Sequence, residues 1–458
     1  MAMGKRGARQ EMLFIAADQL PQSDGHPFYK KLNALLAEAQ FDSWLEKRCS
    51  QYYSQEERRG QPSVPPGVYF RMLLVGYFED IDSQRGIAWR CGDSVSLREF
   101  LGVARHKPTP DHTTMSLIRG RLPAEVFDEV FQFVLTIASA KKLLSAKTVG
   151  VDSTLLEANA AMKSIVRRDT GEDWREYVTR LMQEEGVIGP NEQPSAEDVR
   201  NYDKKRADKK VPNDEWVSPN DADSRIAKMK DGRTHLAYKA EHVVDLSSEL
   251  IVAAEIYHAD VADTHTLVDS LMMAQVNLNE AGVDAEIVEV AADKGYQAEA
   301  TLEQASEFDF RTYIPEKRRP AKTNSNSSAA SAKSPAPSRA VLNNRRRMAR
   351  AKGKRLQRLR SERVERSFAH VCNTGGARRS WLTGIEEVTK RYRIAAAAHN
   401  LGRIMRMLFG VGKPKRLQGT CALALFMQFL AALFCILSQT LTTSPRERRR
   451  PEMFAAAP

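Results

Sequence analysis

Apolar side chains recur at helical spacing through the first third of the chain. Phe28, Leu32, Leu35 and Leu36 fall on one helix face, and Phe70, Leu73, Leu74 and Tyr77 on another. Pro65-Pro66 opens the second helix, where a missing N–H costs nothing. Breaks at Gly92, at Lys107-Pro108-Thr109-Pro110 and at Pro123 cut the rest into short helices. Asp111 or Thr113 is positioned to cap the one carrying Met115, Leu117 and Ile118. Residues 26–140 therefore predict an all-helical N-terminal domain, after a polar, frayed stretch at 1–25. Its turns and its arginines (Arg85, Arg90, Arg98, Arg105, Arg119, Arg121) suit a helix-turn-helix-like module that binds DNA, although any small helical bundle has this pattern.

The pattern changes at residue 147. Lys147 to Asp152 reads as a short branched strand ending in an acid. Residues 158–230 are charged and mostly helical, with a polar loop at 189–194, and read as an insertion. His235–Val244 and Leu250–Tyr257, joined by a turn at 245–249, predict a hairpin. A helix over 264–281 follows, then a strand over 285–291 leading to Asp293, a helix over 297–306 and a short strand at 311–314. Residues 316–344 are a linker by composition. They run into an arginine-rich helix, Arg345–Arg366, stopping near Gly375-Gly376, and a last helix spans 384–410. The fold class is α/β: a mixed sheet with flanking helices over 145–410, preceded by the helical domain, with a tail at 411–458. Trp89 and Trp381 read as packing residues, and His235 and His242 as residues of the hairpin's faces.

Composition narrows the partners. The 458 residues carry a formal charge of +11, with a sequence pI of about 9.3, which favours a polyanion. Hydrophobic content of 42% is enough for real cores. Five scattered cysteines without a CxxC pair argue against a disulfide framework or a zinc finger and fit a reducing compartment. The N-terminus has no apolar signal core behind it. Cys421–Leu437 is apolar apart from Gln428, but is short of the roughly 20 residues a membrane span needs. It reads as a buried or oligomer-interface helix, and membrane insertion is not expected.

The candidate chemistry is carboxylate chemistry. Two strands each lead to an acid, Asp152 and Asp293, and the later basic helix carries Glu365, with Glu362 one turn earlier as a rival. Ligands of an open α/β sheet sit at the carboxyl ends of its strands. Three carboxylates there repel one another unless a cation neutralises them, and an oxygen-only set suits a hard ion such as Mg²⁺. His258, Asp260, Asp263 and His265 resemble a transition-metal cluster, but Asp263 or Thr264 reads better as the cap of the next helix.

The stretches VGVDSTLLEANAA (149–161), VAADKGY (290–296) and VERSFAHVCNTGGARRSWLTG (364–384), in that order, resemble the DDE transposases of bacterial insertion sequences, whose catalytic domain is RNase H-like. KRYRIAAAAHNLGRIMR is similar to their closing helix, and PDHTTMSLIRGRLP to their helical N-terminal domain. The resemblance covers about residues 26–410. It implies Asp152, Asp293 and Glu365 as a catalytic and metal-binding triad, with Lys294-Gly295-Tyr296 after the second acid and Arg366 and Phe368 after the third. Arg358, Arg360, Arg363 and Arg366 would face the DNA backbone. Many relatives carry a lysine two turns beyond the glutamate; here His370, Cys372 and Asn373 stand there, so Arg378, Arg379, Lys390 or Arg391 would make that contact. The implied cofactor is Mg²⁺ or Mn²⁺, as two ions about 3.5–4 Å apart. The implied partners are the element's terminal repeats and target DNA, with a homo-oligomer formed on DNA in the bacterial cytoplasm. A nuclease that only cuts, and a DNA-binding relic without activity, are the competing readings. The linker and arginine helix must also fold back for Glu365 to reach the two aspartates, and without DNA or metal that acid is free to stand off.

Overall fold

The computed structural model describes residues 23–53, 63–205, 213–229, 231–317 and 336–416. Among the described residues seven α-helices come first: α1 (Pro27–Glu38), α2 (Phe41–Cys49), α3 (Pro66–Phe78), α4 (Gln84–Asp93), α5 (Val95–Leu101), α6 (His112–Arg121) and α7 (Ala124–Ala140). α3 is apolar apart from Arg71 and is buried almost completely. The carboxylate of Asp111 caps α6, accepting from the Thr114 N–H at 2.7 Å. Trp89 does not pack as expected. It stands on α4 with 73% of its surface exposed, because the inner face of that helix is already filled by Ile87 and Cys91.

The sheet follows. Its strands are β1 (Thr148–Glu157), β4 (Arg225–Lys228), β5 (Thr234–Asp245), β6 (Ile251–His258), β7 (Glu289–Ala292) and β8 (Arg311–Tyr313); β2 (Val166–Arg167) and β3 (Trp216–Val217) form a separate small ribbon. The order is β6-β5-β1-β7-β8, with β5 antiparallel on one side of β1 and β7 parallel on the other. The charged stretch over 158–230 holds α8 (Trp174–Glu184) and α9 (Ala196–Lys205), and is not wholly an insertion: it returns to the sheet as β4, which pairs with the start of β5 beside β6. α10 (Asp263–Glu280) and α11 (Glu299–Glu307) cover one face, with Val149, Val151, Leu267, Leu271 and Val290 in the core between.

The other face carries α13 (Ala351–Phe368) and α14 (Ile385–Phe409), after α12 (Arg339–Ala349). The arginine-rich segment is therefore two helices and not one. Arg350 is extended (φ −79°, ψ 157°), and Gly353 lets the helices meet closely, since a Cβ there would lie 2.6 Å from the Arg347 carbonyl oxygen. α13 runs on as a π-helical turn, Ala369–Thr374, before Gly375. Beneath α13 and α14 lies a second core, continuous from Leu156, Tyr238 and Ala240 through Tyr392 and Ala396 to the N-terminal helices. Arg393 of α14 ties these parts together: buried, it binds Asp128 of α7 at 2.5 Å and Glu255 of β6 at 2.8 Å. Cys49, Cys91 and Cys372 are buried, and no disulfide links them. Among the described residues no helix is long and apolar enough to cross a membrane; the apolar segment 421–437 lies outside them.

Candidate active site

β1 and β7 run parallel in the register Val151↔Ala292, so Asp152 and Asp293 follow side by side where their pairing ends. Asp152 does not end its strand. β5 keeps pairing with β1 as far as Glu157, so the acid sits mid-strand, at the edge where β7 turns away. The Asp293 carboxylate accepts from the Lys294 N–H at 2.7 Å and opens a short 3₁₀ turn, Lys294–Tyr296. Burial pushes the Asp152 carboxyl above the ordinary carboxylate range; Arg360 works against this, and the nearby Asp293 carboxylate adds to it.

α13 crosses this edge closely. A Cβ on Gly150 would stand 2.8 Å from Val364 Cγ2 and 3.3 Å from Arg360 Cγ. Gln357 donates to the carbonyls of Ala292 (3.0 Å) and Tyr313 (2.5 Å), at the ends of β7 and β8. Arg360 Nη1 donates to Asp152 Oδ2 at 2.7 Å. Further along, Ser367 lies 2.8 Å from His242 Nδ1, while Phe368 stacks on that ring at 4.0 Å. His242 Nε2 lies 2.8 Å from the Tyr392 hydroxyl, and burial lowers the imidazole pKa to about 3.

Glu365 is not gathered with the two aspartates. It is exposed, its carboxylate has no hydrogen-bond or ion-pair partner among the described residues, and no cluster of three potential metal ligands occurs among them. Helical phase explains this: Arg360 and Val364 face the sheet, and Glu365 lies about 100° further round than Val364. Glu362 pairs with Arg366 at 2.6 Å, and Arg366 reaches Glu249 in the β5–β6 turn at 2.8 Å, away from Asp152.

The basic residues also divide. Arg360, Lys390 and Arg391 do not lie on the exposed, DNA-facing surface expected of them. Arg360 turns inward. Lys390 is buried between Glu386 (2.9 Å) and Glu387 (2.8 Å). Arg391 donates to the carbonyls of Arg379 (2.9 Å) and Gly376 (2.7 Å), and burial lowers its pKa to about 10. Both lie on α14, a core helix whose polar groups must find partners inside. Arg363 donates to the Ser247 carbonyl, and Arg378 to Thr154 Oγ1 and Asn373 Oδ1. Arg358 and Arg379 are exposed. Trp381 lies under the Arg391 guanidinium, 5.1 Å from its ring centre.

A supporting network was not foreseen from the sequence. Asp263 makes no side-chain cap for α10. It accepts instead from Ser153 Oγ at 2.9 Å and Lys239 Nζ at 3.4 Å, and a Cβ on Gly295 would meet its Oδ2 at 2.7 Å. Lys239 also donates to Thr266 Oγ1 (3.0 Å), while Thr266 and Tyr296 each donate to Glu241 Oε2 (2.8 Å). Lys239 and Glu241 stand two apart in a strand with apolar neighbours. That spacing sets two charges on one buried face and was the available signal. The remaining members of the suspected metal cluster turn elsewhere: His258 bonds the Asp223 carbonyl, and Asp260 lies 3.7 Å from Arg225.

The edge thus offers two adjacent carboxylates with a cation already on one of them. That donor set fits a hard divalent ion. Residues 15–121 match the family described as Transposase domain (DUF772), and residues 194–401 the Transposase DDE domain, which takes in Asp293 and Glu365 and begins after Asp152. No curated protein matches the chain. Two transposase domains, in this order, cover well over half of the sequence around an α/β sheet edged by acids: the chain belongs to the DDE transposases of insertion sequences, enzymes that cut and move DNA with an RNase H-like domain.

Proposed function

We propose that the protein cleaves the ends of its element and joins them to target DNA, with Asp152, Asp293 and Glu365 as the acids of the reaction. The adjacency of Asp152 and Asp293 where β1 and β7 part supports this reading most directly. In the first step water attacks phosphorus at the element's end and the bond to the 3′ oxygen breaks. In the second, the freed 3′-OH attacks a target phosphodiester and the target's own 3′ oxygen leaves. One or two Mg²⁺ or Mn²⁺ ions held by these acids would activate the attacking oxygen and stabilise the leaving one.

The chain's own residues then position the DNA. From Ser153, next to Asp152, runs an open cleft lined by Thr154, Lys228, His235 and Arg378, with the carboxylates of Glu157 and Asp231 also on its wall, and we assign it to the strand leading to the scissile phosphate. Exposed Lys294, Arg358 and Arg379 supply backbone contacts around it, each of which adds a salt-sensitive increment to binding. Glu365 joins the site after a shift of α13. Bringing two ends together calls for at least two copies of the chain on DNA, in the cytoplasm where that DNA lies.

The test is cleavage and joining of DNA that carries the element's own ends. Asp152→Asn, Asp293→Asn and Glu365→Gln should each abolish both steps and leave DNA binding in a gel shift intact. Cleavage that persists in any one of them removes that residue from the triad, and nicked ends that never join reduce the protein to a nuclease.

A further inference from the structure

Arg360 is the residue of the catalytic edge without a part in that reaction. It is only 6% exposed. Its Nη1 holds Asp152 Oδ2 at 2.7 Å, its Nη2 reaches only Ser361 Oγ at 3.0 Å, and its Nε is buried with no acceptor among the described residues. Asp152 is thus its one anionic partner among them. A guanidinium at hydrogen-bond distance and a divalent ion repel each other if both take the same carboxylate. A buried guanidinium stripped of its partner is strongly unfavourable.

We propose that Arg360 is an exchange residue: it neutralises Asp152 in the DNA-free enzyme, and passes to a DNA phosphate when a divalent ion takes the carboxylate. This rests on the reading of Asp152 as a metal-binding acid. A phosphate brought to Asp152 and Asp293 arrives where the displaced guanidinium lies, and arginine binds phosphate in a two-pronged fork. DNA and metal therefore favour the same state of Arg360, so each raises the affinity for the other by the same factor. In the absence of DNA the site loads metal poorly, which limits hydrolysis away from a substrate.

The alternative is a plain structural ion pair that pins α13 to β1. It predicts a less stable fold without Arg360 and a Mn²⁺ affinity that does not respond to DNA. The experiment is Mn²⁺ binding to the full chain, followed by electron paramagnetic resonance, with and without a short mixed-sequence DNA duplex. Without DNA, Arg360→Met should bind Mn²⁺ on the order of tenfold more tightly than the native chain, equivalent to about 1.4 kcal/mol. The duplex should raise Mn²⁺ affinity in the native chain and by clearly less in Arg360→Met. Asp152→Asn should lose the Mn²⁺ site, and binding like the native chain's would overturn the metal-site reading itself. If Asp152→Asn loses the site but Arg360→Met binds as the native chain does, or more weakly, the exchange is wrong and the metal site stands. Should Arg360→Met fail to fold, Arg360→Gln takes its place. In the native chain alone, a duplex that leaves Mn²⁺ affinity unchanged also overturns the exchange.

Discussion

At the scale of single residues, the four that follow β7 each have a physical reason. Asp293 stands beside Asp152. Lys294 is exposed at the edge. Gly295 leaves room for the Asp263 carboxylate, and Tyr296 reaches through the core to Glu241. Burial pushes the Glu241 carboxyl up, and the hydroxyls of Ser270, Thr266 and Tyr296 work against that. Tyr296→Phe removes one of those donors from a carboxylate that water cannot reach, so it should destabilise the protein by about 1–3 kcal/mol, read from urea unfolding. An unchanged midpoint would mean that the ring alone matters.

At the scale of elements, α13 decides the geometry of the site, because it lies across β1 with no space to spare. Gly150→Ala inserts a methyl group between Val364 and Arg360. Overpacking of this kind should cost about 1–3 kcal/mol and loosen the hold on Asp152. Native stability in that variant would show that α13 moves aside easily. The elements themselves were largely legible in the sequence: the hairpin of β5 and β6, α10 and the closing α14 follow from apolar spacing and turn residues. Three features were not. β1 runs past Asp152 because its antiparallel partner is longer than its parallel one, a fact of pairing and not of local pattern. The elbow at Arg350 sits inside a run of arginines that carries no helix-stop signal beyond Gly353. The inward turn of Arg360 and the outward turn of Glu365 depend on which side of α13 meets the sheet, and a helix with so many charges does not declare that side. Resemblance nominated the three acids; it had no means of fixing their orientation.

At the scale of the whole molecule, the N-terminal helices and the RNase H-like sheet close on one continuous core, with Arg393 as a buried ionic link across it. His242 and His399 also lie within it. Burial holds His242 near pKa 3 and His399 well below the usual value, with His370, His242 and Arg403 adding to the effect on His399. Both imidazoles are neutral in the folded chain, whereas the unfolded chain takes up protons on them below about pH 6.5. Their contribution is therefore complete above that pH and is lost as the pH falls from about 6.5 towards the folded values, at more than ~1 kcal/mol per pH unit for each ring. Urea midpoints should fall between about pH 7 and pH 5, and more gently in His242→Gln. Equal slopes in the two proteins would mean that the His242 ring is protonated in the fold.

The continuous core also has a meaning for a chain still being made. α14, which closes that core, ends at Phe409. At roughly 5–20 residues per second, the ribosome takes on the order of 20–80 s to reach it. Until then the apolar faces of α3 and α7 have no α14 to pack against. A newly synthesised copy therefore passes through a long interval in which its first half is open to chaperones, to proteases and to its neighbours on the same messenger.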